Sequence, residues 1–334
     1  MTPRPDRPHP AHERAQAVVA LGGGHGLHAS LTALRMLVDD LTVDELTAVV
    51  TVADNGGSSG RLRGEFGVLP PGDLRMALAA LCGDDQWGDT WARVLQHRFA
   101  GDGEMRGHVV GNLLIVGLWE LLGDDIDALD WVGRLLGAKG RVLPMALAPM
   151  DITAEVRGLD PDPERLVSVR GQVEVATTDG VIVSIALDPP DPPVTPAALA
   201  AIDEADWAVL GPGSWFTSVI PHLLVPQLRE ALVATDARVI VVLNLAEQQG
   251  ETGGFGPADH LAVLAEHAPD LAVHTVLADR ESVGDGIEEL RSVTQALGAQ
   301  LVVDDVAVGD GSPRHDPALL AAAYARIMQS AVPD

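Results

Sequence analysis

The residues of this 334-residue sequence that could do chemistry lie in glycine-rich segments, each following a short apolar run. The first segment, L-G-G-G-H-G-L-H-A at 21–29, opens a helical pattern. Counted from Gly24 it fits G-x-G-x-x-A, a variant of the dinucleotide-binding fingerprint. Glycines let the backbone approach a phosphate, and the next helix offers free N–H groups at its N-terminus. A turn without a ligand is the alternative; we expect ligand contacts from Gly22, Gly23, Gly24, His25 and Gly26.

A longer run of small residues, D-N-G-G-S-S-G-R at 54–61, follows the second apolar run. Its glycine amides and serine hydroxyls could form an anion-binding nest, and Asp54 stands where a Rossmann fold places its ribose-binding acid. Arg61 and Arg63 would supply positive charge. A flexible surface loop is the alternative interpretation. The predicted contacts from this run are Asp54, Asn55, Gly56, Gly57, Ser58 and Ser59.

Four polar residues stand at or near the starts of two later helical patterns. Asp73 can cap its helix, but capping does not explain Arg75, because a cation is unfavourable near a helix N-terminus and could instead face an anion. Asn112 lies in a strongly apolar helical pattern and therefore needs a polar partner. His108 suits either a cap or a ligand contact. All four are included among the predicted ligand contacts.

Two further segments repeat the arrangement of the first. The segment L-G-P-G-S-W-F-T-S at 210–218 follows one apolar run, and the segment 244–255 follows the next. Their loop amides and polar side chains would point to the same place as the first loop. The predicted contacts from these two segments are Gly211, Gly213, Ser214, Thr217, Asn244, Gln248 and Thr252.

The elements that must position these residues alternate between strands and helices. Continuous apolar strands are predicted at 17–21, 47–53, 207–210 and 238–243, with helical patterns between and after them. Such strands imply a parallel sheet covered on both faces, and the carboxyl ends of its strands share one crevice. The fold class is therefore α/β: a Rossmann-like, doubly wound, mostly parallel sheet with an antiparallel β extension. We predict one domain over 17–330, with a β-rich insertion at about 142–190, after a disordered leader at 1–16.

Composition restricts the class of protein. The formal net charge of −26 disfavours a nucleic-acid partner, because an acidic field repels phosphate backbones. The single cysteine, Cys82, argues against a disulfide framework and against a cysteine-based metal site. No apolar run is long enough to span a bilayer, and the proline-rich start does not read as a signal peptide. We expect a cytoplasmic protein without membrane insertion and without a resident metal; Asp54 is the expected ligand if a metal binds.

Taken together, these segments resemble the YvcK branch of the CofD-like family, the gluconeogenesis factors. The resemblance rests on V-V-A-L-G-G-G-H-G-L, T-V-A-D-N-G-G-S-S-G-R-L-R, P-P-G-D-L-R, G-H-V-V-G-N-L-L, G-P-G-S-W-F-T-S-V-I-P-H-L and Q-Q-G-E-T-G-G-F-G-P-A-D-H, in this order. It implies a bacterial protein that binds UDP-N-acetylglucosamine and regulates carbon-source-dependent cell-wall synthesis and cell shape. It also implies a cell-wall synthesis protein as a partner, is compatible with a homo-oligomer, and adds Phe255 to the expected ligand contacts.

The related transferase branch supplies the enzymatic alternative, a phospholactyl transfer from a nucleotide-diphosphate-linked donor with Mg²⁺ held by Asp54 or Asp73. This sequence departs from the family at three places. Asn55 stands where a second aspartate is usual, Phe255 and Gly256 replace a tyrosine and a threonine, and His25 replaces a threonine. A nicotinamide-dependent oxidoreductase is a third alternative. It rests on the first loop alone, and the small-residue run at 54–60 would crowd its adenosine ribose.

Overall fold

The computed structural model describes residues 16–40, 42–248 and 250–330. Its strands are β1 (Ala17–Gly22), β2 (Glu45–Val50), β3 (Arg141–Pro144), β4 (Asp151–Arg157), β5 (Leu166–Arg170), β6 (Val181–Asp188), β7 (Trp207–Leu210), β8 (Arg238–Val242), β9 (Val273–Asp279) and β10 (Gln300–Asp304). The first eight helices are α1 (Gly24–Asp39), α2 (Gly57–Phe66), α3 (Pro71–Ala80), α4 (Gln86–Gln96), α5 (Val110–Leu122), α6 (Asp125–Leu136), α7 (Gln172–Ala176) and α8 (Pro196–Asp203). They are followed by α9 (Pro221–Leu224), α10 (Pro226–Ala234), α11 (Pro257–His267), α12 (Arg280–Val283), α13 (Ile287–Ala296) and α14 (Pro317–Ser330).

The main sheet has seven strands in the order β10-β9-β8-β7-β1-β2-β3, and every pairing in it is parallel. The chain builds β1, β2 and β3 outward in one direction, and then returns to β7 and builds outward in the other. The order therefore reverses between β1 and β7. This is the topological switch point of a doubly wound sheet, where the crevice for a ligand opens. The predicted α/β fold class is confirmed.

The central strands are apolar on both faces because helices cover both faces of the sheet. In β1 the side chains of Val18, Val19, Ala20 and Leu21 are all buried, and the same is true of every residue of β7. A run without polar alternation suits this position, because each face of a central parallel strand is removed from water. In the described part of the chain, no helix is both long and apolar enough to cross a bilayer.

A second, antiparallel sheet has the order β5-β4-β6. In β4 buried residues alternate with less buried ones, as expected for a sheet covered on one face. The predicted insertion began at 142, but β3 pairs in parallel with β2 and belongs to the main sheet. Val142 and Leu143 are both buried there. A short apolar run in the sequence is compatible with a buried parallel strand and with an antiparallel strand alike. The antiparallel segment, which we call the β-extension, covers 151–188.

Two more elements differ from expectation. The second strand ends at Val50 instead of residue 53, and α2 begins at Gly57, inside the small-residue run for which an anion-binding nest is predicted. The helical pattern after the strand at 207–210 is interrupted: a π-helical turn at Trp215–Val219 leads into α9, and α10 then starts at Pro226. Proline suits the first position of a helix because its missing N–H would have had no partner there. The predicted leader at 1–16 lies outside the described residues apart from Gln16.

The last helix, α14, packs on α1, the helix that starts at the first glycine loop. At their contact the Ser30 Oγ and the Tyr324 hydroxyl lie 2.8 Å apart, and both side chains are fully buried. Burial raises the pKa of Tyr324, because the phenolate would lose its hydration. The neutral hydroxyl pair therefore fixes the position of one helix on the other.

Substitution Tyr324→Phe should lower the free energy of unfolding by about 1–3 kcal/mol, because it leaves the buried Ser30 hydroxyl without a partner. Urea denaturation followed by circular dichroism measures this change. The double variant Ser30→Ala/Tyr324→Phe removes both hydroxyls and should lose less than the sum of the two single variants. Strictly additive losses would show that the two hydroxyls do not stabilise one another.

Candidate functional site

The loops after β1 and β7 touch each other at the switch point. A Cβ atom added to Gly26 would lie 2.2 Å from the Pro212 carbonyl oxygen, so only glycine permits this approach. At the start of α1, Gly24 has a φ of +59°, a conformation that side chains with a Cβ atom rarely adopt. The two predicted glycine loops therefore form one continuous surface, with the N-terminus of α1 at its centre.

Above this surface lies a cavity of about 300 Å³. Residues from six separate segments of the chain line it: the loops after β1, β7 and β8, the helix α3, the β-extension and the C-terminal region. Of the predicted contacts, those that line it are Gly23, Gly24, His25, Gly26, Asp73, Gly213, Ser214, Asn244 and Gln248. The others lie elsewhere within the described part of the chain, most of them in the polar networks beneath and beside the cavity. Their role toward a ligand stays a prediction.

Asp73 is the most unusual of the lining residues. It is buried, and one carboxylate oxygen, Oδ2, has no hydrogen-bond partner among the described residues. The Gly24 N–H donates to this carboxyl group. Burial, together with the neighbouring charge of Asp54, raises the pKa of Asp73 to about 7. Near neutral pH, Asp73 therefore exchanges between a hydrogen-bond donor and an anion at the wall of the cavity.

Asp54 is a neighbour of Asp73 and stabilises the loop after β2. Its Oδ1 accepts a hydrogen bond from the Gly56 N–H at 2.8 Å, and Ser59 donates to the same carboxyl group. Burial raises the pKa of Asp54 despite these hydrogen bonds. The Ser59 Oγ also accepts from the Gly72 N–H at 3.0 Å, at the start of α3. Asp54 thus contributes to the site through Asp73 and the position of α3.

The Arg75 guanidinium and the Asn112 carboxamide are hydrogen-bonded to each other. The Arg75 Nε donates to Asn112 Oδ1 at 2.9 Å, and another nitrogen of Arg75 donates to Gln96. Asn112 donates in turn to Ser58 Oγ at 3.2 Å, and that hydroxyl lies 3.1 Å from His108 Nδ1. Burial, with the nearby charge of another arginine, lowers the pKa of Arg75 to about 10. This network joins α2, α3, α4 and α5, so the sequence signal at Asn112 reflected a partner within the protein.

Asn55 holds the β-extension against the site. Its Oδ1 accepts from the Val173 N–H at 3.0 Å, and its Nδ2 donates to Glu174 Oε2 at 2.7 Å. Both ends of the amide are therefore engaged by α7. An aspartate at position 55 could not donate the second of these hydrogen bonds, which gives the departure from the family pattern a local physical consequence.

The loop after β8 fastens the loop after β7. Asn244 binds both the N–H and the carbonyl of Gly213, at 3.0 and 2.9 Å. Gln248 accepts from the Trp215 N–H at 3.2 Å and donates to Ser214 Oγ at 3.1 Å. These contacts preorganise the loop, but they also occupy a backbone amide that could otherwise bind an anion.

A buried carboxylate, Glu251, completes this attachment. It accepts from the Phe216 N–H at 3.0 Å and from Thr217 Oγ1 at 2.5 Å, while the Thr252 hydroxyl accepts from the Gln248 N–H. Burial raises the pKa of Glu251. Thr217 and Thr252 therefore serve the loop contacts. Phe255 belongs to a ring cluster instead, with centroids 6.0 Å from Phe216 and 5.9 Å from His260.

Four polar side chains at the cavity were not among the predicted contacts: Gln172, Ser218, Glu247 and His315. His315 hydrogen-bonds the Leu243 backbone, and its Nε2 is buried without a partner among the described residues. Burial lowers the pKa of His315 to about 4, so the ring is neutral at physiological pH. Ser218 and Glu247 lie within the predicted segments, but no local pattern marks Gln172 or His315, because these two reach the cavity through the packing of distant segments. Within the described residues, no three His, Cys, Asp or Glu side chains are grouped as a metal site.

Comparisons with known proteins identify the family of this chain. The family model described as 2-phospho-L-lactate transferase CofD matches residues 18–308. A putative gluconeogenesis factor of Mycobacterium tuberculosis is 54% identical over 91% of this chain and 88% of its own length. A gluconeogenesis factor of Listeria innocua is 34% identical over 91% of this chain and 92% of its own length.

A solved structure is similar over nearly the whole chain. It is that of a UPF0052-family protein from Bacillus halodurans, with 32% sequence identity and a TM-score of 0.80, covering 93% of this chain and 99% of that one. The chain therefore belongs to the CofD family, and the relatives to which it is similar are gluconeogenesis factors.

Proposed function

We propose that this protein binds UDP-N-acetylglucosamine in the switch-point cavity and acts in the cytoplasm as a regulator of cell-wall synthesis through a protein partner. The observation that carries the proposal is the contact of the two glycine loops at the start of α1, beneath an open cavity. Such a surface suits a diphosphate, because the first N–H groups of a helix have no partner within the helix and its dipole favours an anion. The relatives' role as gluconeogenesis factors and the resemblance described above support the choice of ligand.

The charge of the protein makes this arrangement informative. With a formal net charge of −26, the molecule as a whole repels a diphosphate, so binding must rely on local donors. The Ser214 and Ser218 side chains and the backbone of residues 23–26 line the same cavity and can supply them. The proposal thus needs no basic cluster, only backbone amides and hydroxyls in a fixed geometry.

A Mg²⁺-dependent phospholactyl transferase is the second candidate, favoured by the family model and by the unpartnered Asp73 Oδ2. Asp73 would hold the ion, and Mg²⁺ would neutralise charge on the diphosphate. A second protein ligand is lacking at this position, since Asp54 is engaged by Gly56 and Ser59 and position 55 is an amide bound to α7. Mg²⁺ keeps several waters in such sites, so one carboxylate fits weak, substrate-assisted binding. We therefore favour regulation without catalysis.

Calorimetric titration tests the proposal directly. The protein should bind UDP-N-acetylglucosamine more tightly than UDP-glucose, GDP or NAD, without a requirement for Mg²⁺ and without turnover during long incubation. Preference for GDP in the presence of Mg²⁺, or consumption of the bound compound, would favour the transferase instead. Binding of none of these compounds would contradict the proposed ligand.

Affinity for UDP-N-acetylglucosamine without metal should fall by about tenfold, or 1.4 kcal/mol, between pH 6 and pH 8. The pKa of Asp73 is raised to about 7, so its negative charge appears over this range beside phosphates whose own ionisation is complete. Asp73→Asn should remove most of this dependence, whereas the exposed control Asp285→Asn should retain it. If Mg²⁺ instead makes the wild-type affinity rise with pH, and Asp73→Asn abolishes that rise, the carboxylate holds a metal.

Asp73→Asn should also change how stability depends on pH. Because the pKa of Asp73 is raised in the folded state, the native protein binds the proton more strongly than the unfolded chain, and stability falls as pH rises from about 4 to about 7. The variant lacks this loss, so above pH 7 its free energy of unfolding should exceed that of the wild type by at most about 4 kcal/mol. Urea denaturation at pH 5 and pH 8 measures the difference. An equal effect of the substitution at both pH values would exclude a raised pKa.

A further inference from the structure

The β-extension reaches the cavity through one side chain. Gln172, the first residue of α7, lines the cavity together with Asp73 and the two glycine loops. It is the only lining residue that the described part of the β-extension contributes. Among the described residues, no protein group hydrogen-bonds its carboxamide, although the side chain is half-buried. A partly buried amide with free donors and acceptors at a cavity wall is available to a ligand.

On one side, the position of Gln172 is fixed by the loop after β2, which contains Asn55. Asn55 bonds to the two residues after Gln172, accepting from Val173 and donating to Glu174. The residue before it, Gly171, has a φ of +110°, and a Cβ atom there would lie 2.5 Å from the Asn55 Nδ2. The helix start therefore sits directly on the loop, closer than any other residue type at 171 would permit.

The opposite end of α7 is fixed by the loop after β8. A Cβ atom added to Gly250 would lie 2.3 Å from the Ala176 carbonyl oxygen, so the loop backbone passes immediately beside the end of the helix. The same loop carries Asn244 and Gln248, which fasten the glycine loop after β7. One short helix thus lies between the loop after β2 and the loop after β8, and its first residue, Gln172, lines the cavity.

We propose that the β-extension is the specificity element of this site, and that the Gln172 carboxamide hydrogen-bonds the hydroxyl or acetamido groups of the bound sugar. The inference rests on the proposed function and deepens it. The backbone of residues 23–26 and the Ser214 and Ser218 hydroxyls offer donors to the phosphates, whereas the Gln172 carboxamide comes from a separate segment of the chain and remains available to the sugar. A neutral amide is suited to a neutral group that both donates and accepts hydrogen bonds.

The test compares UDP-N-acetylglucosamine with UDP, which lacks the sugar, by calorimetry on the full chain. Gln172→Ala should weaken binding of the nucleotide sugar by about tenfold and leave UDP binding unchanged, because only the sugar loses a partner. Gln295→Ala, at an exposed position on α13, is the matched control and should change neither affinity. Circular dichroism and thermal unfolding establish that each variant is folded.

A second variant tests whether the placement of α7, and not only the Gln172 side chain, is needed for binding the sugar. Asn55→Ala removes both hydrogen bonds that hold α7 and should lower the affinity ratio between the nucleotide sugar and UDP, as Gln172→Ala does. Asn55→Asp retains the acceptor for Val173 and should restore part of that ratio. Equal losses for both ligands in Gln172→Ala, or no loss, would overturn the inference. Wild-type protein that binds neither ligand would instead overturn the proposed function.

Discussion

The structure depends on the close approach of α1 to the loop after β7. Gly26 packs against the Pro212 carbonyl oxygen with no room for a side chain, and this contact joins the two halves of the doubly wound sheet at the point where their strand order reverses. A larger residue at position 26 would separate the halves and widen the cavity between them. The contact between the backbones of Gly26 and Pro212 therefore sets the width of the crevice. It also sets the distance between groups that bind one ligand across the crevice.

Many polar side chains near the cavity are hydrogen-bonded to other groups of the protein. Asn244, Gln248 and Glu251 bind the loop after β7, while Asn112 and Arg75 tie four helices together. Among the described residues, the side-chain groups at the cavity without a hydrogen-bond partner include one oxygen of Asp73, one nitrogen of His315 and the side chains of His25, Gln172 and Ser218. A ligand therefore meets a rigid frame with a small number of available side-chain groups. Such a division suits selective binding, because little conformational entropy is lost when the ligand enters.

The crevice could be predicted from the sequence because its signals are local: an apolar strand, then glycines, then a helical pattern. The partners of the polar residues could not, because they are distant in the chain. Asn55 and Val173 are 118 positions apart, and Asn112 and Ser58 are 54 apart. A polar residue in an apolar pattern signals that it needs a partner, without saying whether that partner is a ligand or protein. The same limit explains why the predicted insertion included β3 and why Gln172 was overlooked.

The pairing of β1 with β7 has a consequence for how the protein acquires its binding capacity. The Ala17 N–H donates to Asp206 across 189 positions at the edge of this pairing, so the junction is among the least local contacts of the fold. Contacts of such high sequence separation are slow to form, because the entropy of closing the long intervening loop is lost first. The cavity lies on this junction and does not exist until it closes. A ligand held across it would bind only fully assembled molecules, and a rising ligand concentration would increase the free energy of unfolding of the protein.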